Sequence, residues 1–253
     1  MQGETATGRR LVALAGKDAL PFLQGLVSND VLPLAKAPGI VWTALLTPQG
    51  KYLADFFVVA SCGNLLLDLP EKLAEATLHR LALYRLRADV QMTPSPLKVT
   101  RGLGTAPAGG LADPRHPTLG WRSYGESTGT AAAIDWDAIR VAHCIPEAGV
   151  ELIPNESYIL ESGFERLHGV DFRKGCYVGQ EVTARMKHKT ELRKGLVRVR
   201  IEGAAPVGTE ITAEGKAAGS LYTQSGEHGI AWLRFDRAAG EMQAGAARIR
   251  AEG

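Results

Sequence analysis

Apolar and polar positions alternate along this chain in two rhythms, one of period two and one of helical period. Residues 10–14 read as a short strand, and Phe22, Leu23 and Leu26 give residues 18–27 the spacing of a helix, with Pro21 tolerated in its first turn. Residues 41–46 and 52–60 are strand-like runs joined through Pro48-Gln49-Gly50, and Cys62-Gly63-Asn64 turns the chain back into a run over 65–69. Pro70 opens a helix to Tyr84, with Leu73, Thr77, Leu81 and Tyr84 on one face, and Val90 and Met92 alternate in a strand that Pro94 ends. Strand, helix, strands, helix, strand is the split βαβ, ferredoxin-like order with one added hairpin strand.

The rhythm then changes. Residues 102–110, rich in Gly, Ala and Pro, read as a linker or mobile loop, and helices are expected over 136–143 and 158–168. From Gly195 onward, short runs at 196–201, 210–212, 220–223, 230–235 and 248–250 are separated by Gly-containing turns without a helix between them, the texture of a small β-barrel. The expected division is 1–93 for a first split βαβ lobe, 94–190 for a second αβ lobe and 191–253 for the barrel. The fold class expected is α+β.

Composition narrows the function. A chain of 253 residues, 45% hydrophobic and 22% charged, is long enough to bury a core and is neither disordered nor fibrous. The net charge of +2 argues against a dedicated nucleic-acid binder and leaves room for a small acidic ligand. Three scattered cysteines, Cys62, Cys144 and Cys176, suit a reducing compartment better than a disulfide framework. The first ten residues carry Glu4 and no apolar run, and the apolar runs are strand-sized, so the expectation is a soluble cytoplasmic protein without a membrane span. Dinucleotide and P-loop fingerprints are missing, and the six histidines show no metal-ligand spacing, so no metal site is expected.

The most unusual segment is Lys174-Gly175-Cys176-Tyr177-Val178-Gly179-Gln180-Glu181. Its glycines let the backbone turn tightly, and a cation at Lys174 beside Cys176 would favour the thiolate. Two readings of Cys176 stand on spacing alone: a reactive thiol, or a small buried hydrophobe of the kind free cysteines usually are. Cys62, in an apolar hairpin, and Cys144, at a helix end, read as structural. Seven Lys/Arg and His188 crowd residues 185–200. They read mostly as a solvated strand and loop, since no aromatic residues interleave to stack RNA.

This octapeptide, continuing through Val182-Thr183-Ala184-Arg185-Met186, closely resembles the signature of the YgfZ family, in the superfamily of the glycine-cleavage T-protein, a tetrahydrofolate-dependent aminomethyltransferase. Residues 22–31, Thr47-Pro48-Gln49-Gly50-Lys51 and Tyr84-Arg85-Leu86-Arg87 are similar to further landmarks, and Asp113-Pro114-Arg115 with Leu119-Gly120-Trp121-Arg122 is similar to a segment of YgfZ rather than of the transferase. The resemblance implies lobes around a central folate cavity, with tetrahydrofolate or a folate derivative as cofactor and iron–sulfur client or assembly proteins as partners. It implies an accessory role in iron–sulfur cluster assembly or repair, with Cys176 as the reactive thiol and Lys174 tuning it. Gly175, Tyr177, Gly179, Gln180, Glu181 and Arg185 would support the loop, and Asn29, Asp30, Tyr84, Arg87 and Asp55 would face the folate. The alternative is an enzyme, a folate-dependent aminomethyltransferase or demethylase. Where the transferase carries two adjacent Asp residues, this chain has Ala54-Asp55, which counts against that alternative; Asp55 could equally be an exposed strand residue.

Overall fold

In the computed structural model, residues 3–61, 63–189 and 191–252 are described, with only the backbone of Lys189. Cys62, expected to be structural, lies outside the described residues. The chain divides into two compact units, 1–134 with 165–182, and 135–164 with 183–253. Residues 94–190 thus contribute to both.

The first unit contains β1 (Glu4–Thr5), β2 (Arg9–Ala15), α1 (Ala19–Gln24), β3 (Gly39–Leu46), β4 (Tyr52–Ser61), β5 (Asn64–Pro70), α2 (Glu71–Arg85), β6 (Gln91–Pro94), β7 (Lys98–Gly102), β8 (Leu111–Ala112) and β9 (Trp121–Gly125). A five-stranded antiparallel sheet runs in the order β3-β4-β5-β2-β6, with Thr43 opposite Phe56 and Val58 opposite Leu67. Strand alternation sends Leu45, Phe56, Val58, Leu67 and Leu69 into one core, which Leu23, Val27, Ala74 and Leu81 join. Pro70 precedes α2, and Glu71 in its first turn and Arg85 in its last complement the helix dipole.

Beside it, β1, β7, β9 and β8 form a second sheet that the sequence does not announce. These strands are short and carry Lys98, Arg101, Arg122 and Gly102, so their alternation is weak. What holds them is a buried charge network. Asp68, the one carboxylate in β5, is fully buried. It accepts from Arg9 Nε at 2.6 Å, Arg122 Nη2 at 2.6 Å and Tyr124 Oη at 2.9 Å. Burial pushes its carboxyl up, but Arg9 and Arg122 outweigh that and hold it below its ordinary value. The guanidiniums of Arg122, Arg115 and Arg9 lie 4.3, 5.0 and 5.6 Å from the Phe57 ring centre. Asp113 accepts from Arg115 at 2.8 Å, and Arg115 and Arg122 meet at the Phe57 ring.

The second unit holds α3 (Trp136–Ala142) and most of α4 (Gln180–Lys189), then β10 (Lys194–Glu202), β11 (Glu210–Ala213), β12 (Lys216–Ser225), β13 (His228–Arg234), β14 (Met242–Ala244) and β15 (Ala247–Ala251). These strands close into a barrel in the order β10-β13-β12-β11-β14-β15, filled by Val199, Ile201, Ile211, Leu221, Leu233 and Ile249. Arg140 of α3 meets buried Glu151 at 2.5 Å, and Thr223 of β12 donates from its backbone to Glu151 at 3.3 Å. Within the basic stretch, Lys194 pairs with Glu161, Arg198 with Glu252 and Arg200 with Glu227.

One expected element does not form. Residues 158–168 are a chain of turns rather than a helix. Gly163 and His168 both take positive φ, and after Ser162 N, shared between Tyr158 O and Ile159 O, the bonds run Gly163 N to Leu160 O, Phe164 N to Ile159 O and His168 N to Glu165 O rather than in a helical ladder. The α+β class and the C-terminal barrel are as expected. Among the described residues no helix is long and apolar enough to cross a membrane.

Candidate functional site

The octapeptide forms a loop that ends in α4. Its floor is the turn after α1. Ser28, fully buried, donates its hydroxyl to Gly169 O at 2.7 Å and accepts from Ala44 N at 2.9 Å, while Asp171 N donates to Ser28 O at 3.1 Å. Asn29 Nδ2 donates to Trp42 O at 2.8 Å and His168 O at 2.7 Å, and Asn29 Oδ1 accepts from Asp30 N. Residues 168–171 are thereby stitched to β3 and the α1 turn.

Lys174 drives this together. Its side chain is buried, and Nζ donates to the carbonyls of Gln24 at 2.8 Å, Val27 at 2.5 Å and Asn29 at 3.0 Å. An ammonium has three N–H donors, so all are engaged. Lys174, expected to tune the Cys176 thiol as a neighbouring cation, gives its three donors to the carbonyls of Gln24, Val27 and Asn29 around the end of α1. Burial brings its pKa down from 10.5 to about 8, with Asp30 and Asp171 opposing. The ammonium also lies 5.1 Å from the ring centre of buried Tyr177.

Past this anchor the loop opens. Cys176 is exposed, as are Gly175 and Arg173, and nothing stands within 4 Å of the point where a side chain at Gly175 would begin. The thiol is reachable, which excludes the reading of Cys176 as a buried hydrophobe. The loop is fixed again at Gly179, whose φ is +84°; a Cβ there would fall 2.6 Å from Thr47 O and 3.2 Å from Gly50 Cα. Gly50, φ +75°, faces back in the same way, with Val182 Cβ 2.8 Å from its would-be Cβ. Two turns thus interlock at a distance only glycine permits. Gln180 begins α4, and Glu181 and Arg185 stand four apart on it, on one face.

The remaining candidates scatter in their availability. Asp55 is buried rather than an exposed strand residue, and its oxygens accept from Tyr52 Oη at 2.6 Å and Trp42 Nε1 at 2.8 Å. Burial, then Asp55, hold the Tyr52 hydroxyl well above its ordinary pKa, so it stays a donor. Asp30 is half-buried and caps Leu32 N at 3.1 Å; Tyr84 packs part of its ring on the core; Arg87 is exposed. A folate needs an apolar wall, a few polar groups and a cation for its acidic tail. Tyr84, Asp30 and Arg87 fit those needs. Asn29 and Asp55 do so only as shapers, because their polar atoms already serve the protein. The sequence reading missed Ser28 and Thr43, whose hydroxyls lie 3.2 Å apart at the hub; the run Ser28-Asn29-Asp30 was the available signal.

Comparison with known proteins decides the family. A protein named iron-sulfur cluster assembly factor IBA57, mitochondrial, from Mus musculus is 31% identical over 93% of this chain and 78% of its own length, and its Homo sapiens counterpart is 32% identical with the same coverage. This chain belongs to the IBA57 family of iron–sulfur cluster assembly factors. A family model described as the CAF17 C-terminal β-barrel domain matches residues 193–253, the barrel seen here. The fold is that of the glycine cleavage system aminomethyltransferase T of Bartonella henselae, with a TM-score of 0.71 over 98% of this chain and 83% of that one, at 12% identity. The IBA57 relatives are named as mitochondrial, which overturns the cytoplasmic location expected above. Free cysteines mark a reducing environment and do not distinguish the cytosol from an organelle interior.

Proposed function

We propose that this protein is a tetrahydrofolate-binding accessory factor, close to the YgfZ type, that supports assembly or repair of iron–sulfur clusters through the Cys176 thiol. The observation that carries the proposal is an exposed cysteine on a loop anchored at both ends, by Lys174 on three carbonyls and by Gly179 against Gly50. A structural cysteine needs no such exposure, and a reactive one gains from a fixed position. Gln180, Glu181 and Arg185 hold the base of the loop on α4. Folate contacts are assigned to Asp30, Tyr84 and Arg87, with Asn29 and Asp55 shaping the wall. Iron–sulfur client or assembly proteins are the partners, as the relatives' names suggest.

Aminomethyl transfer takes second place. The likeness of fold favours it, while the single carboxylate Asp55, already bonded to Tyr52 and Trp42, argues against a group free to handle charge on a folate nitrogen. Titration calorimetry with tetrahydrofolate tests the folate half: saturable binding, weakened by Arg87→Ala and unchanged by Cys176→Ala, is expected. Absence of binding removes folate from the proposal.

A further inference from the structure

The C-terminal end of α2 carries a feature that folding alone does not explain. Leu86 closes the helix with φ +45° and ψ −107°, a backbone conformation that L side chains rarely adopt and that a glycine would hold without strain. Its side chain is 88% exposed, and Leu83, three residues earlier in α2, is 56% exposed. A leucine there burdens the fold by backbone strain and offers its apolar surface to a partner. One turn before Leu83 stands exposed Arg80, and exposed Arg87 follows Leu86 in the chain, with no carboxylate in the sequence between Glu75 and Asp89, whereas Arg85, two positions from Leu83, donates to Val90 O at 3.4 Å. Strained, exposed positions persist where a function holds them.

We propose that Leu83 and Leu86 form a docking knob for a protein partner that presents an apolar recess rimmed by carboxylates, the partner being the iron–sulfur client or assembly protein that this factor assists. This rests on the accessory role proposed above. Charge complementarity names the rim, since guanidinium groups match carboxylates in a fixed planar geometry. The locked backbone names the recess. A knob held in one conformation gains affinity only against a shaped socket, whereas a fluid lipid surface would accept a relaxed leucine equally well.

The test uses cells lacking the protein, complemented with the full chain, and reads iron–sulfur enzyme activity alongside the melting temperature of each purified variant. Leu86→Gly is expected to melt higher than wild type, because strain is relieved, yet to restore several-fold less activity. Arg80→Glu is expected to lose activity likewise, with tetrahydrofolate binding unchanged. Arg87 is left intact because it stands among the folate contacts. If wild type restores activity and Cys176→Ala does not, but Leu86→Gly restores it fully, the knob is overturned and the accessory role stands. If wild type itself restores nothing, the accessory role falls and the knob with it. Co-sedimentation with phosphatidylcholine–phosphatidylglycerol vesicles that requires Leu86 would replace the protein partner by a lipid surface and overturn the proposal.

Discussion

The ammonium of Lys174 lies 3.0 Å from the carbonyl oxygen of Asn29, and with two further carbonyls it fastens the cysteine loop to the end of α1. Replacing it by Met leaves three carbonyls without their donor. Hydrogen bonds to a charged group are worth about 1.5–3 kcal/mol each before compensation by water. Lys174→Met is expected to lower the unfolding free energy by about 2 kcal/mol and to open residues 171–176 to protease first; urea denaturation and limited proteolysis check both. An unchanged cleavage pattern would mean the clamp does not hold the loop.

The same lysine gives a pH signature. Burial places its folded pKa at about 8, below the ordinary 10.5, with Asp30 and Asp171 opposing from the neighbouring turns. Below pH 8 both folded and unfolded chains carry the proton, so its contribution is flat. Between the two values the unfolded chain holds a proton that the folded chain has released, so stability rises with pH. Urea unfolding of wild type and Lys174→Met from pH 7 to pH 10 should show wild type gaining on the variant above about pH 8. A relative loss over that window would mean that the carbonyls favour the ammonium more than burial opposes it.

Gly179 and Gly50 make a sharp comparison with Gly175. Alanine at Gly179 brings a methyl 2.6 Å from Thr47 O at positive φ, and alanine at Gly50 meets Val182 at 2.8 Å. Each is expected to cost about 3 kcal/mol, combining backbone strain with overpacking. Gly175→Ala enters open space and should fall within about 0.5 kcal/mol of wild type. Thermal melts of the three variants check the ranking.

The Asp68 network should be felt in acid. Breaking a buried pair by removing one partner costs about 3–5 kcal/mol. Asp68→Asn is therefore strongly destabilising at neutral pH, and Asp68→Asn with Arg122→Met should cost less than the sum of the two singles. Because Asp68 is held below its ordinary value, the stability it supplies is present above that value and is lost as the pH falls through the lowered one. Wild type should lose stability more steeply than Asp68→Asn as the pH drops below 4, as acid denaturation series would show.

Much of the fold was legible where periodicity is strong. The run from residue 39 to 85 and the barrel strands from 194 onward alternate or repeat clearly, and the split βαβ order and the barrel follow from them. Strand β14 was missed because three residues show no rhythm. The sheet of β7 and β9 was hidden because Arg122 and Tyr124 sit at positions that look solvated and are buried only through Asp68, more than fifty residues away. At the site, the octapeptide and the Thr47–Gly50 turn were visible as separate motifs. That Gly50 and Gly179 touch is a fact of three dimensions. Side-chain valence was equally illegible: nothing in a string of residues says that the Asn29 amide and both Asp55 oxygens already have protein partners, or that Lys174 reaches away from its neighbour.

The measurement that bears most directly on the role of Cys176 compares two single substitutions in cells deprived of the native protein. Cys176→Ala is expected to fold normally, bind tetrahydrofolate as wild type does, and fail to restore iron–sulfur enzyme activity, while Cys62→Ala restores it. Equal rescue by the two variants would contradict the assignment of the exposed thiol.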